Sequence, residues 1–252
     1  MSLSAKRSRY KIASLVVLLL CIALSALAIF RRTAGKKDYT GSDQAFTLLI
    51  LGDSQMAGLG WPGGYQNCIS EIYPNAVVFN LAQSGNLLSN GDIQAQWDYY
   101  LSKTDVVPDL ILLDGGTNDM PYLKKAAYQD IVLPMVSDAL SCLLEQIHRT
   151  CPDTHIIYTL MPPYAEWKDS EDGPPAYEVQ ERYWQQLNAL ASTYDYVTVV
   201  DLFSINPFDY PDANTYRANL ADSIHLNETG YRNSFEYINH ALLSHLAELP
   251  AE

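Results

Sequence analysis

The chain has 252 residues, 48% of them apolar, and a formal net charge of −13. That length supports one sizeable core rather than two. Half of its 16 basic residues precede Asp38, where no acid occurs, so the rest is strongly anionic and has no basic stripe with interleaved aromatics; this excludes nucleic acid as a partner.

In chain order, the first feature is a basic cluster, Lys6 to Lys11, followed by a charge-free apolar run from Ile12 to Phe30. The run exceeds the roughly 7–15 residues of a signal-peptide core and approaches the roughly 20 of a spanning helix. It therefore reads as a signal-anchor within residues 1–30, with the membrane as partner. Ala26-Leu27-Ala28 would also serve as a cleavage site, and Arg31 and Arg32 weaken the positive-inside bias, so a cleaved signal peptide stands as the alternative. Either outcome places the remainder outside the cytoplasm, anchored or secreted. Leu20 rather than a small residue precedes Cys21, which argues against a lipoprotein.

Residues 31–44 are polar and basic at first, as in a linker, and a single domain is expected over 45–252. Short, almost wholly apolar runs follow at Phe46–Leu51, Val77–Leu81, Leu110–Leu113, Ile156–Leu160 and Val197–Val200, as buried parallel strands read. Between them the spacing predicts helices near Tyr65–Ile72, Gln94–Leu101 and Val179–Ala191. Two stronger ones carry Val132, Val136, Ala139, Leu143 and Ile147, and Tyr231, Phe235, Ile238, Leu242 and Leu246, each set on one face. Pro162 to Pro175, with four prolines, reads as a surface loop. The alternation implies an α/β fold, a three-layer α/β/α sandwich around a parallel sheet of about five strands. Four cysteines are too few for a disulfide framework. Helical rise sets Cys142 and Cys151 beyond bridging distance, so Cys68, Cys142 and Cys151 are expected free and buried.

Four polar patches sit at the ends of these elements: Gly52-Asp53-Ser54 after the first strand, Ser84-Gly85 after the second, Gly116-Thr117-Asn118-Asp119 after the third, and Asp222-Ser223-Ile224-His225 before the last helix. In an open parallel sheet the carboxyl ends of the strands form the ligand crevice, so three patches converge there. A serine hydroxyl needs a base to take its proton, and the base needs an acceptor that fixes its tautomer. Asp222 and His225, three apart, supply both.

These residues resemble the SGNH, or GDSL-like, hydrolase superfamily from about Phe46 to the end of the chain. The resemblance implies the flavodoxin-like SGNH hydrolase fold, with Ser54 as nucleophile and first oxyanion donor, Gly85 as second donor through its N–H and Asn118 as third through its amide. It also implies Asp222 and His225 as the acid–base pair. Asn80 to Gly85 resembles the lead into the family's glycine block, and His225-Leu226-Asn227 with Gly230-Tyr231 its histidine block. Gln55 stands where the name-giving leucine often sits, and Ala82 where glycine is common. The implied activity is hydrolysis of an ester through an acyl-serine. Export and the aromatic loop residues point to a short acyl group, such as acetyl, on a carbohydrate or cell-envelope glycan. A lysophospholipase- or thioesterase-like lipid ester hydrolase, or an O-acyltransferase using the same site, are the alternatives.

Other signals carry less. Gly58 to Gly63 formally matches the G-x-G-x-x-G dinucleotide fingerprint but starts well past the strand end and contains Pro62; a mobile loop beside Ser54 fits better, and no cofactor is expected. No H-E-x-x-H or comparable cluster indicates a metal. The sequon Asn227-Glu228-Thr229 reads as the cap of the last helix. His148, His155, His240 and His245 read as surface or helix-face residues, and Asp53 and Asp119 as hydrogen-bonding residues of their loops. Trp61, Tyr65, Tyr122, Tyr164, Trp167 and Tyr177 are placed in or beside loops near the crevice, either as sugar-stacking faces or as loop cover.

Overall fold

A computed structural model of the chain describes residues 41–164 and 175–248, all within a compact unit spanning residues 39–252. The expected anchor, Ile12–Phe30, and Trp167 lie outside the described residues, as do most of the expected linker and most of the Pro162 to Pro175 loop.

Five strands form one sheet: β1 (Phe46–Leu51), β2 (Ala76–Asn80), β3 (Leu110–Asp114), β4 (His155–Leu160) and β5 (Val197–Asp201). Their order is β2-β1-β3-β4-β5 and every pairing is parallel. β1 and β3 are apolar on both faces because both faces are covered, and successive side chains alternate between two cores. On one side Leu49, Leu51, Ile111 and Leu113 meet Trp97 of α2 (Asp92–Lys103), Leu140 and Ile147 of α3 (Ala126–Thr150), and Trp184 of α4 (Ala176–Ala191). On the other, Leu48, Ile50, Leu110 and Leu112 meet Ile69 of α1 (Gly64–Ile72) and Phe235, Ile238 and Leu242 of α7 (Glu228–Leu246). The result is the three-layer sandwich expected from the strand–helix alternation.

Three short elements left no periodic trace: a 3-10 helix at Met120–Lys124, α5 (Leu202–Ile205) and α6 (Ala213–Ala218). α3 buries Val136, Leu140, Leu143, Leu144 and Ile147 and turns Cys142 outward. Cys142 is therefore exposed, contrary to expectation: it lies about 200° around the helix from Leu140. Cys68 and Cys151 are buried, and all three thiols are free. Among the described residues, Tyr128–Thr150 of α3 is long and apolar enough to cross a membrane, at a mean hydropathy of 1.2. Its buried apolar side chains serve here to cover the sheet.

Candidate active site

The site forms where β1 and β3 end, and each turn there is shaped by what lies behind it. β1 passes into the Ser54 loop through Gly52 at φ 148°, where a Cβ would overlap the Asp114 carboxylate. Gln96 of α2 holds that glycine from both sides: its Oε1 accepts from Gly52 N–H at 2.9 Å and its Nε2 donates to Gly52 O at 2.7 Å. Asp53 N–H donates to Asp114 Oδ1 at 2.8 Å, and Asp53 Oδ1 accepts from Gln55 N–H at 3.0 Å. The β3 turn is secured by two buried hydroxyls, Tyr158 donating to Gly115 O and Tyr183 to Gly116 O. Asp119, fully buried, accepts from the N–H groups of Leu88 and Ser89, which ties the loop after β2 to the Asn118 turn.

His225 arrives on a narrow loop between α6 and α7. Leu220 and Leu226 pair as an antiparallel bridge, Ala221 N–H donates to His225 O, and Asn227 N–H donates to Asn219 O. Asn227 caps α7 by accepting from Gly230 N–H at 3.0 Å, while its Nδ2 donates to Ala218 O and Leu220 O. Two bonds bind this segment to the Ser54 loop: Gln55 Nε2 to Ile224 O at 2.8 Å and Tyr231 O–H to Gln55 O at 2.6 Å. The Gly58–Gly63 segment belongs to the same assembly. A Cβ on Gly60 would crowd Leu226 O and His225 Cβ, and Trp61 lies against Tyr231 and under the Arg232 guanidinium. These contacts pin the segment that the glycines suggested would be mobile.

The hydrogen-bonded chain that results runs Ser54 Oγ, His225 Nε2 (3.1 Å), then His225 Nδ1, Asp222 Oδ2 (2.7 Å). Asp222 Oδ1 also accepts from the N–H groups of Ile224 and His225. Burial raises the Asp222 pKa, but the two backbone N–H groups and the imidazole outweigh it and hold the carboxyl at about 2. Ionised, Asp222 can only accept, so His225 Nδ1 carries the proton and Nε2 presents its lone pair to the serine. Ser54 is almost fully buried, whereas Asp222 faces solvent.

Gly85 and Asn118 lie on adjoining loops joined by one bond, Asn118 Nδ2 to Asn86 O at 2.9 Å, which fixes the amide and leaves its second N–H free to donate. Gly85 has φ 85° and nothing within 4 Å of a built Cβ. Among the described residues neither Ser54 N–H nor Gly85 N–H donates to a protein acceptor.

The aromatic residues divide. Tyr65 is a core residue whose hydroxyl meets Ser234 at 2.9 Å, not part of a crevice, because its position on α1 faces α7. Tyr122 is exposed, Tyr164 packs partly against the core, and Tyr177 stacks on Tyr210. His148 stacks on Tyr196. His155 and His245, expected as surface or helix-face residues, stack with ring centroids 3.4 Å apart and share the Thr198 hydroxyl, because β4, β5 and α7 converge there. Sequence reasoning missed Asp114 and Gln96; an acid closing an all-apolar strand beside Gly115-Gly116 was the available signal. Among the described residues no three His, Cys, Asp or Glu side chains are placed to hold a metal.

Residues 50–232 match the model of the GDSL-like lipase/acylhydrolase family. No curated protein sequence matches the chain. Among solved structures, an acetylxylan esterase from Geobacillus stearothermophilus aligns at TM-score 0.57 and 19% identity, over 81% of this chain and 96% of its own. A lipase from a goat rumen metagenome aligns at 0.56 and 18%, over 78% and 97%. A lipolytic G-D-S-L protein from Veillonella parvula aligns at 0.57 and 22%, over 77% and 97%.

Proposed function

Because the chain belongs to the GDSL-like lipase/acylhydrolase family and is a serine ester hydrolase, we propose that Ser54 is its nucleophile, His225 its general base and Asp222 the group that orients the base. The Ser54–His225–Asp222 hydrogen-bonded chain carries this reading. Ser54 Oγ attacks the ester carbonyl carbon as its proton passes to His225 Nε2. The oxyanion is held by Ser54 N–H, Gly85 N–H and Asn118 Nδ2, none of which needs to break a protein bond to reach it. Collapse expels the alcohol with the proton from His225, and water attacks the acyl-serine by the same route in reverse.

The acyl group we assign is short, acetyl in the first instance. Gln55, Thr117 and Ile224, the chain neighbours of Ser54, Asn118 and His225, line an apolar slot together with Met120, Met161 and Phe208, and its cavity volume is about 20 Å³. That suits a methyl group and not a chain of eight carbons. The acetylxylan esterase among the structural relatives supports a carbohydrate ester. We further assign the apolar run Ile12–Phe30 as a membrane anchor, or a cleaved export signal, with the catalytic domain outside the cytoplasm.

The test is hydrolysis of p-nitrophenyl esters of increasing chain length by the full chain, with Ser54→Ala as the control. Acetate should be preferred and the variant inactive. Wild-type activity in Ser54→Ala would overturn the nucleophile, and preference for eight carbons or more would replace the short acyl group by a lipid.

A further inference from the structure

A second concavity is lined by Gln83 and Asn86, the residues that flank Ser84-Gly85. It is a cleft of about 630 Å³ between the segment following β2 and the outer face of α2. Its size is that of a small-ligand site, and its walls are built on the same scaffold as the oxyanion donors. Asn80 and Gln96, both in the wall, have their side chains committed: Asn80 to Met56 O and Ala82 N–H, Gln96 to both backbone groups of Gly52. Asn86 contributes its carbonyl to Asn118.

The remaining polar groups facing the cleft are free. Among the described residues no protein partner engages the side-chain amides of Gln83 and Asn86 or the Tyr99 hydroxyl, and Asp92 commits only Oδ2, to Leu87 N–H. Tyr99 is 54% exposed, with the Lys103 ammonium 5.2 Å from its ring centroid. Two amides offer donors and acceptors together, a carboxylate oxygen and a phenol add one more of each, and an aromatic ring supplies a flat apolar face. That set complements an uncharged ring bearing several hydroxyls. It does not suit an alkyl chain, which would strand the amides unpaired, nor a phosphate headgroup, which would meet Asp92 with no cation among the lining residues.

We propose that this cleft is the subsite for the alcohol half of the ester, and that the alcohol is a neutral sugar held by Gln83, Asn86, Asp92 and Tyr99. The inference rests on the serine esterase reading of Ser54. Two bonds tie the cleft wall to the reacting groups: Gln83 N–H donates to Gly52 O, two residues before Ser54, and Asn86 O accepts from the Asn118 amide.

The experiment uses the full chain, with singly acetylated methyl glycosides of glucose, xylose and N-acetylglucosamine set against p-nitrophenyl acetate, which lacks a sugar. Gln83→Ala leaves the backbone bond from Gln83 N–H to Gly52 O in place, and Tyr99→Ala lies on an exposed face, so both should fold. The ratio of kcat/KM for the best sugar acetate to that for p-nitrophenyl acetate should fall about ten-fold in each variant, the equivalent of a lost hydrogen bond or stacking face of about 1.4 kcal/mol. The fall should lie in KM. A ratio that moves less than two-fold in the double variant overturns the subsite while leaving the esterase standing. Absence of p-nitrophenyl acetate hydrolysis in the wild type would instead remove the catalytic reading. Binding is then read separately, by saturation-transfer NMR of the methyl glycosides on Ser54→Ala: signals lost in the Gln83→Ala and Tyr99→Ala background support the cleft, and no signals for any of the three sugars reject it.

Discussion

Replacing Asp114 by Asn probes the support on which Ser54 rests. Asp53 and Asp114 are both fully buried. One oxygen of each accepts a backbone N–H, and neither Oδ2 has a hydrogen-bond partner that can supply a proton. Two ionised carboxylates cannot share such a place, so the pair must hold a proton between them. Burial is the main cause in both: Asp53 is pushed up to about 6 and Asp114 well above the ordinary carboxyl range. In the unfolded chain both return to about 3.9. Folded pKa values above unfolded ones mean that the native state binds the extra protons. The contribution is therefore complete below about pH 4 and is lost as pH rises, by about 1.4 kcal/mol per pH unit for each proton retained. In Asp114→Asn the amide oxygen can still accept from Asp53 N–H, and its Nδ2–H can donate to Asp53 Oδ2, which favours the ionised carboxylate and removes the retained proton. The stability of the variant relative to wild type should therefore improve with pH, by at least about 1.4 kcal/mol per unit between pH 4.5 and 6. Thermal unfolding of the full chain at several pH values measures this, at about 2–4 °C per kcal/mol for a domain of this size. A difference that stays flat with pH would refute the shared proton. Asp114→Ala also removes the titrating carboxyl but leaves Asp53 N–H unpaired in the interior, so it should follow the same pH trend set lower than Asp114→Asn by about 1–3 kcal/mol.

Three further outcomes follow from the same geometry. Asn118→Ala should lower kcat by about 10²–10³ with an unchanged circular dichroism spectrum, since it removes one donor to the oxyanion; a fall under three-fold would exclude the amide from that role. Gly60→Ala should lower both melting temperature and kcat: φ 103° is strained for alanine, at about 1–3 kcal/mol, and the new Cβ presses on Leu226 O and the His225 side chain. Acidification should destabilise the fold through His155, whose pKa is lowered to about 4 by burial and by His245, which is itself lowered by burial. These folded values lie below the unfolded 6.5, so this contribution is full above about pH 6.5 and disappears toward pH 4. His155→Gln should lose less melting temperature than wild type between pH 7 and pH 4.5, and an equal loss would discount the stacked pair.

The sheet was legible because its strands are short, apolar on both faces and evenly interrupted; every strand boundary expected from sequence lies within one residue of the observed one. Helix spans were legible where one face is apolar, as in α7, whose five periodic residues are all buried. What periodicity could not show are contacts between distant segments. Tyr65, at the start of a predicted helix, read as an aromatic in or beside a loop near the crevice, yet its ring packs edge-on against Tyr231, far along the chain. The glycines at 58, 60 and 63 read as freedom, whereas a Cβ at Gly58 would meet the backbone of Gly63 and Gly64, at Gly63 the Asn67 side chain, and at Gly60 the distant segment that carries His225.

The same distinction separates reaction from substrate. Ser54, Gly85, Asn118, Asp222 and His225 each sit at an element end within a short patch, and a parallel sheet gathers strand ends by construction, so their convergence needs no knowledge of side-chain packing. The cleft beside Gln83 and Asn86 has no such shortcut. Gln83 and Asn86 come from the loop after β2, Asp92 and Tyr99 from α2, and they meet only because Asp119 fixes Leu88 and Ser89 while Gln96 fixes Gly52. Polar residues at those four positions look like ordinary solvated surface until the bonds of their neighbours are counted. Those bonds separate the side chains that hold the scaffold together, Asn80 and Gln96, from the four with hydrogen-bonding capacity to spare.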